Sequence, residues 1–207
     1  MKKYYTTISQ QAKESLKLVH YLNPGQSPIL EYGETHFPII PLIANTVKSG
    51  ETIHIYAVKP AYERTEYCLA VLQEELKSLS EKICFQYELE IFDTPQSEVI
   101  GNHLDLFTRL VDSSSDDDQI YADITFGTKP IPMILLMFMT FAYKHRKHAE
   151  IEHVVYGAMN HEEHTSSLYD VTALFFMNSV VNQLDSEKIS DPAAIIRKLI
   201  DLNDAEE

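Results

Sequence analysis

Between residues 121 and 143 the sequence reads YADITFGTKPIPMILLMFMTFAY. An alternating run gives way to a short polar turn, then to an apolar segment that opens on two prolines. The turn gathers two hydroxyls, Thr125 and Thr128, and one ammonium, Lys129, around Gly127. Glycine permits a positive φ or a close backbone approach, and hydroxyls, loop N–H groups and a cation together suit a bound anion. Pro130 and Pro132 fit the first turn of a helix, where N–H groups have no intrahelical partner to lose. They also remove two donors, so a phosphate here would rely on the loop amides, the helix dipole and Lys129. The same junction would also serve as an ordinary βα connection. It is neither a G-x-x-x-x-G-K-[ST] loop nor a G-x-G-x-x-G fingerprint, which argues against a P-loop NTPase or a dinucleotide enzyme.

The elements that must position this turn alternate. Residues 3–8 (KYYTTI), 51–58 (ETIHIYAV), 82–92 (KICFQYELEIF), 119–125 (QIYADIT), 152–158 (EHVVYGA) and 166–171 (SSLYDV) read as strands. Helices are expected over 35–50, with Thr35 as an ordinary cap and Gly50 as a stop, over 60–79, over 95–111, and from Pro130 to about residue 147. The second of these should bury Tyr67, Ala70, Val71, Leu76 and Leu79. Residues 10–33 are ambiguous. Leu16, Leu18, His20 and Leu22 alternate ahead of the turn signal NPGQS (23–27), which favours a hairpin, whereas Ala12, Leu16, Val19 and Leu22 would line a short helix. DSSSDDD (112–118) reads as an exposed acidic loop. A helix over 172–184 and a shorter one over 192–202 close the chain. Strands separated by helices imply an α/β Rossmann-like three-layer sandwich, mainly parallel, with the last two strands antiparallel at one edge. Ligands in such sheets sit outside the carboxyl ends of the strands, where the turn lies. The loop Ser9, Gln10 and Gln11 after the first strand should sit beside it.

The 207 residues carry a net charge of -14, which excludes a general attraction for duplex nucleic acid or an anionic membrane. Any polyanion must be held locally. The apolar run 130–143 is shorter than the roughly 20 residues of a membrane span and is expected to be a core helix buried nearly all round. Cys68 and Cys84, with no secretory signal, point to reduced, buried thiols and a cytoplasmic protein. His153 with HEEH (161–164) has weak metal-ligand spacing without cysteines, so no metal is expected. KHRKH (144–148) places cations at a helix C-terminus, as the dipole favours.

DITFGTKP (123–130) resembles the D-x-T-x-G-x-K-P signature of CARF domains, the CRISPR-associated Rossmann-fold sensors of cyclic oligoadenylates. HVVYGAM (153–159) is similar to the family's next strand, LYDVTALFFM (168–177) to its closing strand-to-helix passage, and residues 18–43 to the hairpin-then-helix opening of one branch. The likeness runs over residues 3–184, so 1–184 would be the CARF domain and 185–207 a helical tail. It implies ligand binding by Thr125, Phe126, Gly127, Thr128 and Lys129, with Ser9, Gln10 and Gln11 as second contributors, and no cofactor. Phe126 departs from the small residue of many relatives and would stack on a base or narrow the pocket.

The resemblance further implies a homodimer with the ring, most simply cyclic tetra-adenylate, across its two-fold axis; an isologous site gives a symmetric anion the same donors from each half. Leu174, Met177, Val181 and Leu184 form an apolar stripe, widened by Phe175, Phe176 and Val180, that suits such an interface or a helix buried on two sides. No effector is evident: the one R-x6-H spacing, Arg146 to His153, runs into a strand. The chain is then a sensor of type III CRISPR defence whose effector lies elsewhere, or a metal-independent ring nuclease. In that alternative the 2′-hydroxyl attacks the adjoining phosphate and leaves 2′,3′-cyclic phosphate ends. Lys129 would neutralise the phosphorane, and Thr128 or Ser9 would bond the reacting oxygens. A Rossmann-like enzyme using another nucleotide is the third reading.

Overall fold

The computed structural model describes residues 1–23, 30–160, 165–184 and 191–204. In chain order its elements are β1 (Lys2–Thr7), β2 (Val19–Leu22), β3 (Glu34–Thr35), α1 (Ile39–Thr46), β4 (Thr52–Pro60), α2 (Glu63–Ile83), β5 (Gln86–Thr94), α3 (Ile100–Asp112), β6 (Gln119–Asp123), α4 (Pro130–His145), β7 (Glu150–Asn160), β8 (Thr165–Asp170), α5 (Thr172–Val181) and α6 (Pro192–Asp204). Residues 1–172 and 173–207 form two compact units; the first holds the whole sheet and α1–α4.

The sheet runs β3-β2-β8-β7-β6-β1-β4-β5. From β7 to β5 every pairing is parallel, whereas β8 is antiparallel to β7. This is the expected α/β Rossmann-like sandwich with an antiparallel edge. Numbered along the chain, the five parallel strands stand in the order 3-2-1-4-5, which reverses direction between β1 and β6. Helices α1 and α2 cover one face, α3 and α4 the other.

β1 shows why the middle of the sheet is stable. Tyr4 and Tyr5 are both fully buried and point to opposite layers. Tyr4 stacks on Tyr121 at 4.6 Å and its hydroxyl meets Thr46 Oγ1 at 2.8 Å. Tyr5 stacks on Tyr56 at 5.0 Å, tilts against Phe138 and reaches Ser113 Oγ at 3.1 Å. Each phenol is thus partnered, as a buried polar tip requires.

Several expectations are corrected. Both readings of residues 10–33 hold in part. Leu16 N–H donates to Ala12 O at 3.0 Å, a single helical turn, and β2 then pairs antiparallel with β3 and parallel with β8. The NPGQS turn beyond Asn23 lies outside the described residues. Helix α1 is shorter than 35–50, because Thr35 belongs to β3 and Thr46 closes the far end, its carbonyl held by Lys2 Nζ at 2.6 Å. Pro60 ends β4 instead of opening α2, whose entrance is set by the Thr65 hydroxyl donating to Pro60 O at 2.8 Å. Residues 82 and 83 belong to α2, Cys84 caps it in the left-handed region, and β5 starts at Gln86. Helix α3 begins at Ile100, after a loop in which Gln96 Nε2 donates to Ala61 O.

The buried stripe of α2 is Thr65, Cys68, Leu69, Leu72, Leu76 and Leu79, whereas Tyr67 and Ala70 are exposed. Tyr67 instead lies under Lys13, with Nζ 5.2 Å from its ring centroid. Helix α4 is not buried all round: Ile131, Ile134, Leu135, Phe138, Met139 and Ala142 face inward, while Met133 and Met137 are exposed. Cys84 is exposed and Cys68 buried. In the acidic loop Asp118 and Ser114 are buried. In KHRKH, Arg146 ties back to Val111 O at 3.0 Å and Ser114 Oγ at 3.1 Å. Within the second unit, Phe175 is buried and Leu174, Phe176 and Val181 are exposed.

Candidate anion site at the β1–β6 switch point

Because β1 and β6 are hydrogen-bonded neighbours, their carboxyl-terminal loops emerge side by side where the strand order reverses. Asp123, the last residue of β6, organises this place. It is fully buried and accepts the Thr6 hydroxyl at 3.0 Å, the Thr125 N–H at 2.9 Å, the Thr125 hydroxyl and the Ile39 N–H. Ile39 opens α1, whose preceding Pro38 supplies no side-chain cap. A carboxylate from another strand therefore does the capping, as the positive helix end favours. Burial pushes the Asp123 carboxyl up to about 6, against the lowering effect of these four hydrogen bonds.

Thr125 is the second strut. Its hydroxyl proton goes to Asp123, and its oxygen accepts the Gly157 N–H at 2.7 Å, joining the β6 loop to β7. Gly157 is required by packing: a Cβ there would stand 2.6 Å from Pro38 Cγ and 3.3 Å from Thr125 Oγ1. Thr125 thus holds the loop, its donor already engaged within the protein.

Past Thr125 the chain is open. Among the described residues no acceptor pairs with the N–H groups of Phe126, Gly127, Thr128 or Lys129. Four consecutive amides at a sheet end, none with a partner among the described residues, are donors that an anion can take. Lys129 is exposed, with no carboxylate of the described residues in ion-pair distance. Helix α4 lends its dipole but no donor in its first turn's opening, since Pro130 and Pro132 have none and Ile131 N–H is taken by Thr128 O at 2.9 Å. Gly127 has φ +104°, and a Cβ would meet Thr7 Cγ2 at 2.9 Å and Ile131 Cβ at 3.3 Å. Gly127→Ala is accordingly expected to cost about 1–3 kcal/mol from backbone strain alone. A urea unfolding midpoint unchanged from the parent would contradict this backbone assignment.

The β1 loop contributes unevenly. Ser9 is fully buried; its Oγ accepts the Gln11 N–H at 3.2 Å and lies beside Cys68. Burial pushes the Cys68 thiol up, so it is no activated nucleophile. Gln10 Nε2 is buried with no acceptor among the described residues. Gln11 lines a cleft of about 140 Å³ together with Thr125, Phe126, Lys17, His36, Gly157 and Met159. Thr128 faces a second, tighter hollow of about 20 Å³ with Pro60, Tyr62, Thr94 and His103. The loop 125–129 is thus a ridge between two depressions. The structure brings Gln11, Thr125 and Phe126 together, sets Thr128 on the far flank, leaves Lys129 exposed, and brings the Ser9 hydroxyl to neither. Phe126 meets Phe37 edge-on at 6.2 Å, so its ring forms cleft wall.

Sequence reasoning missed His36 and Lys17. His36 directly follows Thr35 and bonds Glu75 through Nδ1 at 2.5 Å, a pairing across 39 positions that no local motif signals. Among the described residues no cluster of three or more His, Cys, Asp or Glu could hold a metal, and no helix is long and apolar enough to cross a membrane. HEEH lies outside the described residues; His153 bonds Asp170 at 2.5 Å. No protein-family model matches the chain, and no curated protein is significantly similar to it.

Proposed function

We propose that this chain binds cyclic oligoadenylate, cyclic tetra-adenylate foremost, at the 126–129 loop, and acts as a cytoplasmic sensor in type III CRISPR defence. The observation that carries the reading is the row of four amides ending at a lysine, none of them with a partner among the described residues. With a net charge of -14, the protein needs such a local concentration of donors to hold any polyanion. The resemblance of DITFGTKP to the CARF signature supplies the ligand's identity. The ring sits across a homodimer axis, where each subunit offers the same ridge. Exposed Leu174, Phe176 and Val181 on α5 support a self-association surface.

The test is retention of radiolabelled cyclic tetra-adenylate by the purified protein. Lys129→Ala should weaken binding about 10- to 100-fold, the worth of one charge-assisted hydrogen bond. An affinity equal to the parent's would move the site away from this loop.

A further inference from the structure

The cleft on one flank of the amide ridge holds a side chain poised for proton transfer. His36 leads from β3 into α1 and lines the cleft with Gln11, Lys17, Thr125 and Phe126. Its ring is fixed from behind by Glu75 of α2. Glu75 Oε1 takes His36 Nδ1 at 2.5 Å and the His36 backbone N–H at 3.1 Å, and Oε2 takes the Thr35 hydroxyl at 2.5 Å. A carboxylate facing Nδ1 makes that nitrogen the donor of the pair, so whenever the ring is neutral Nε2 is its acceptor. Among the described residues nothing bonds Nε2. The imidazole is a quarter exposed, at 23%: accessible to a ligand, yet held in one orientation by a three-bond clamp. Nucleophile-activating bases are built this way, the third group orienting the second.

We propose that His36 is the general base for cleavage of a ribose phosphodiester lodged on the ridge, with Glu75 as its positioning residue. This rests on the reading of the ridge as an adenylate-ring site. His36 Nε2 removes the proton of a 2′-hydroxyl as that oxygen attacks the adjacent 3′-phosphorus. The new P–O2′ bond closes a 2′,3′-cyclic phosphate, the P–O5′ bond breaks, and the departing 5′-oxygen takes a proton from water. His36 then returns its proton to solvent. Lys129 and the loop amides hold the non-bridging oxygens as negative charge builds on them. No metal or redox partner enters the balance.

The experiment is single-turnover incubation of the purified full chain with radiolabelled cyclic tetra-adenylate, scoring retained ring and linear product separately. The parent should give linear product with a 2′,3′-cyclic phosphate end. His36→Ala and His36→Gln should lose about 100-fold or more in rate while retaining the ring with near-parental affinity. Added imidazole should restore part of the His36→Ala rate. Glu75→Gln should lower rate without affinity and add nothing in the His36→Ala background, a coupling that a purely structural tie would not produce. Retention of an intact ring by the parent, or parental rates in both His36 variants, would overturn the assignment and leave the binding site standing. Failure of the parent to retain the ring would instead remove the binding reading, and this inference with it.

Discussion

Replacing Lys3 by methionine is expected to cost about 3–5 kcal/mol, the usual consequence of breaking a buried ion pair by removing one partner. Lys3 lies on β1, the strand that ends at the switch point, and is 6% exposed. Its ammonium reaches Asp118 Oδ2 at 2.7 Å and Ser113 O at 2.7 Å. Asp118 is 1% exposed and also accepts the Ser115 N–H at 2.6 Å. Lys3→Met would leave the carboxylate desolvated, since the other nearby cation, the chain's amino terminus, is 3.8 Å away and largely exposed. In a chain of this size that loss corresponds to a melting temperature about 10 °C lower. Adding Asp118→Asn should recover part of it, because the amide keeps an acceptor for Ser115 and removes the stranded charge. A single variant within about 0.5 kcal/mol of the parent would mean that water reaches this pair.

That pair also shows where a sequence pattern loses information. DSSSDDD reads as a solvated block because like charges repel, and Asp116 and Asp117 do remain at the surface, with Asp117 facing His148. Asp118 turns inward because β1 brings a lysine 115 positions upstream to meet it, and no window along the chain contains both. The same limit hides His36: its clamp joins β3 to α2, and its cleft is walled by the β1, β6 and β7 ends. Local signals succeeded where the structure is local. The βα alternation gives the layered sheet, and the Thr-Phe-Gly-Thr-Lys turn falls at a carboxyl edge because every βαβ unit places its strand-to-helix turn there. Residue type without its partners misplaces the buried face of a helix. By residue type Tyr67 and Ala70 belong to the α2 core, yet Thr65 and Cys68 take those places, the threonine because Pro60 and Tyr62 carbonyls accept its hydroxyl. Met133 and Met137 made α4 look uniformly apolar, although they lie on its exposed side.

Asp123→Ala should be the most damaging change at the site. It would strand the Thr6 hydroxyl, both donors of Thr125 and the first amide of α1, all of which converge on this carboxylate. Hydrogen bonds to a charged group contribute about 1.5–3 kcal/mol each; with partial relaxation, a loss of about 3 kcal/mol or more is expected. Thr125 would lose its anchor, the ridge would no longer be held against Gly157, and cyclic tetra-adenylate should not be retained. Asp123→Asn separates shape from charge. In the folded protein burial raises this carboxyl from its ordinary 3.8 to about 6. Between those values the native state binds a proton that the unfolded chain has released. The stability this group contributes is therefore complete below the unfolded value and is lost as pH rises through about 6. Urea unfolding of parent and Asp123→Asn across this interval should show a difference curve falling with rising pH, because the asparagine cannot titrate. A flat difference curve would mean that Asp123 stays ionised throughout. Its four donors would then outweigh burial, and the ridge would be set on a permanent negative charge, unfavourable ground for a second anion.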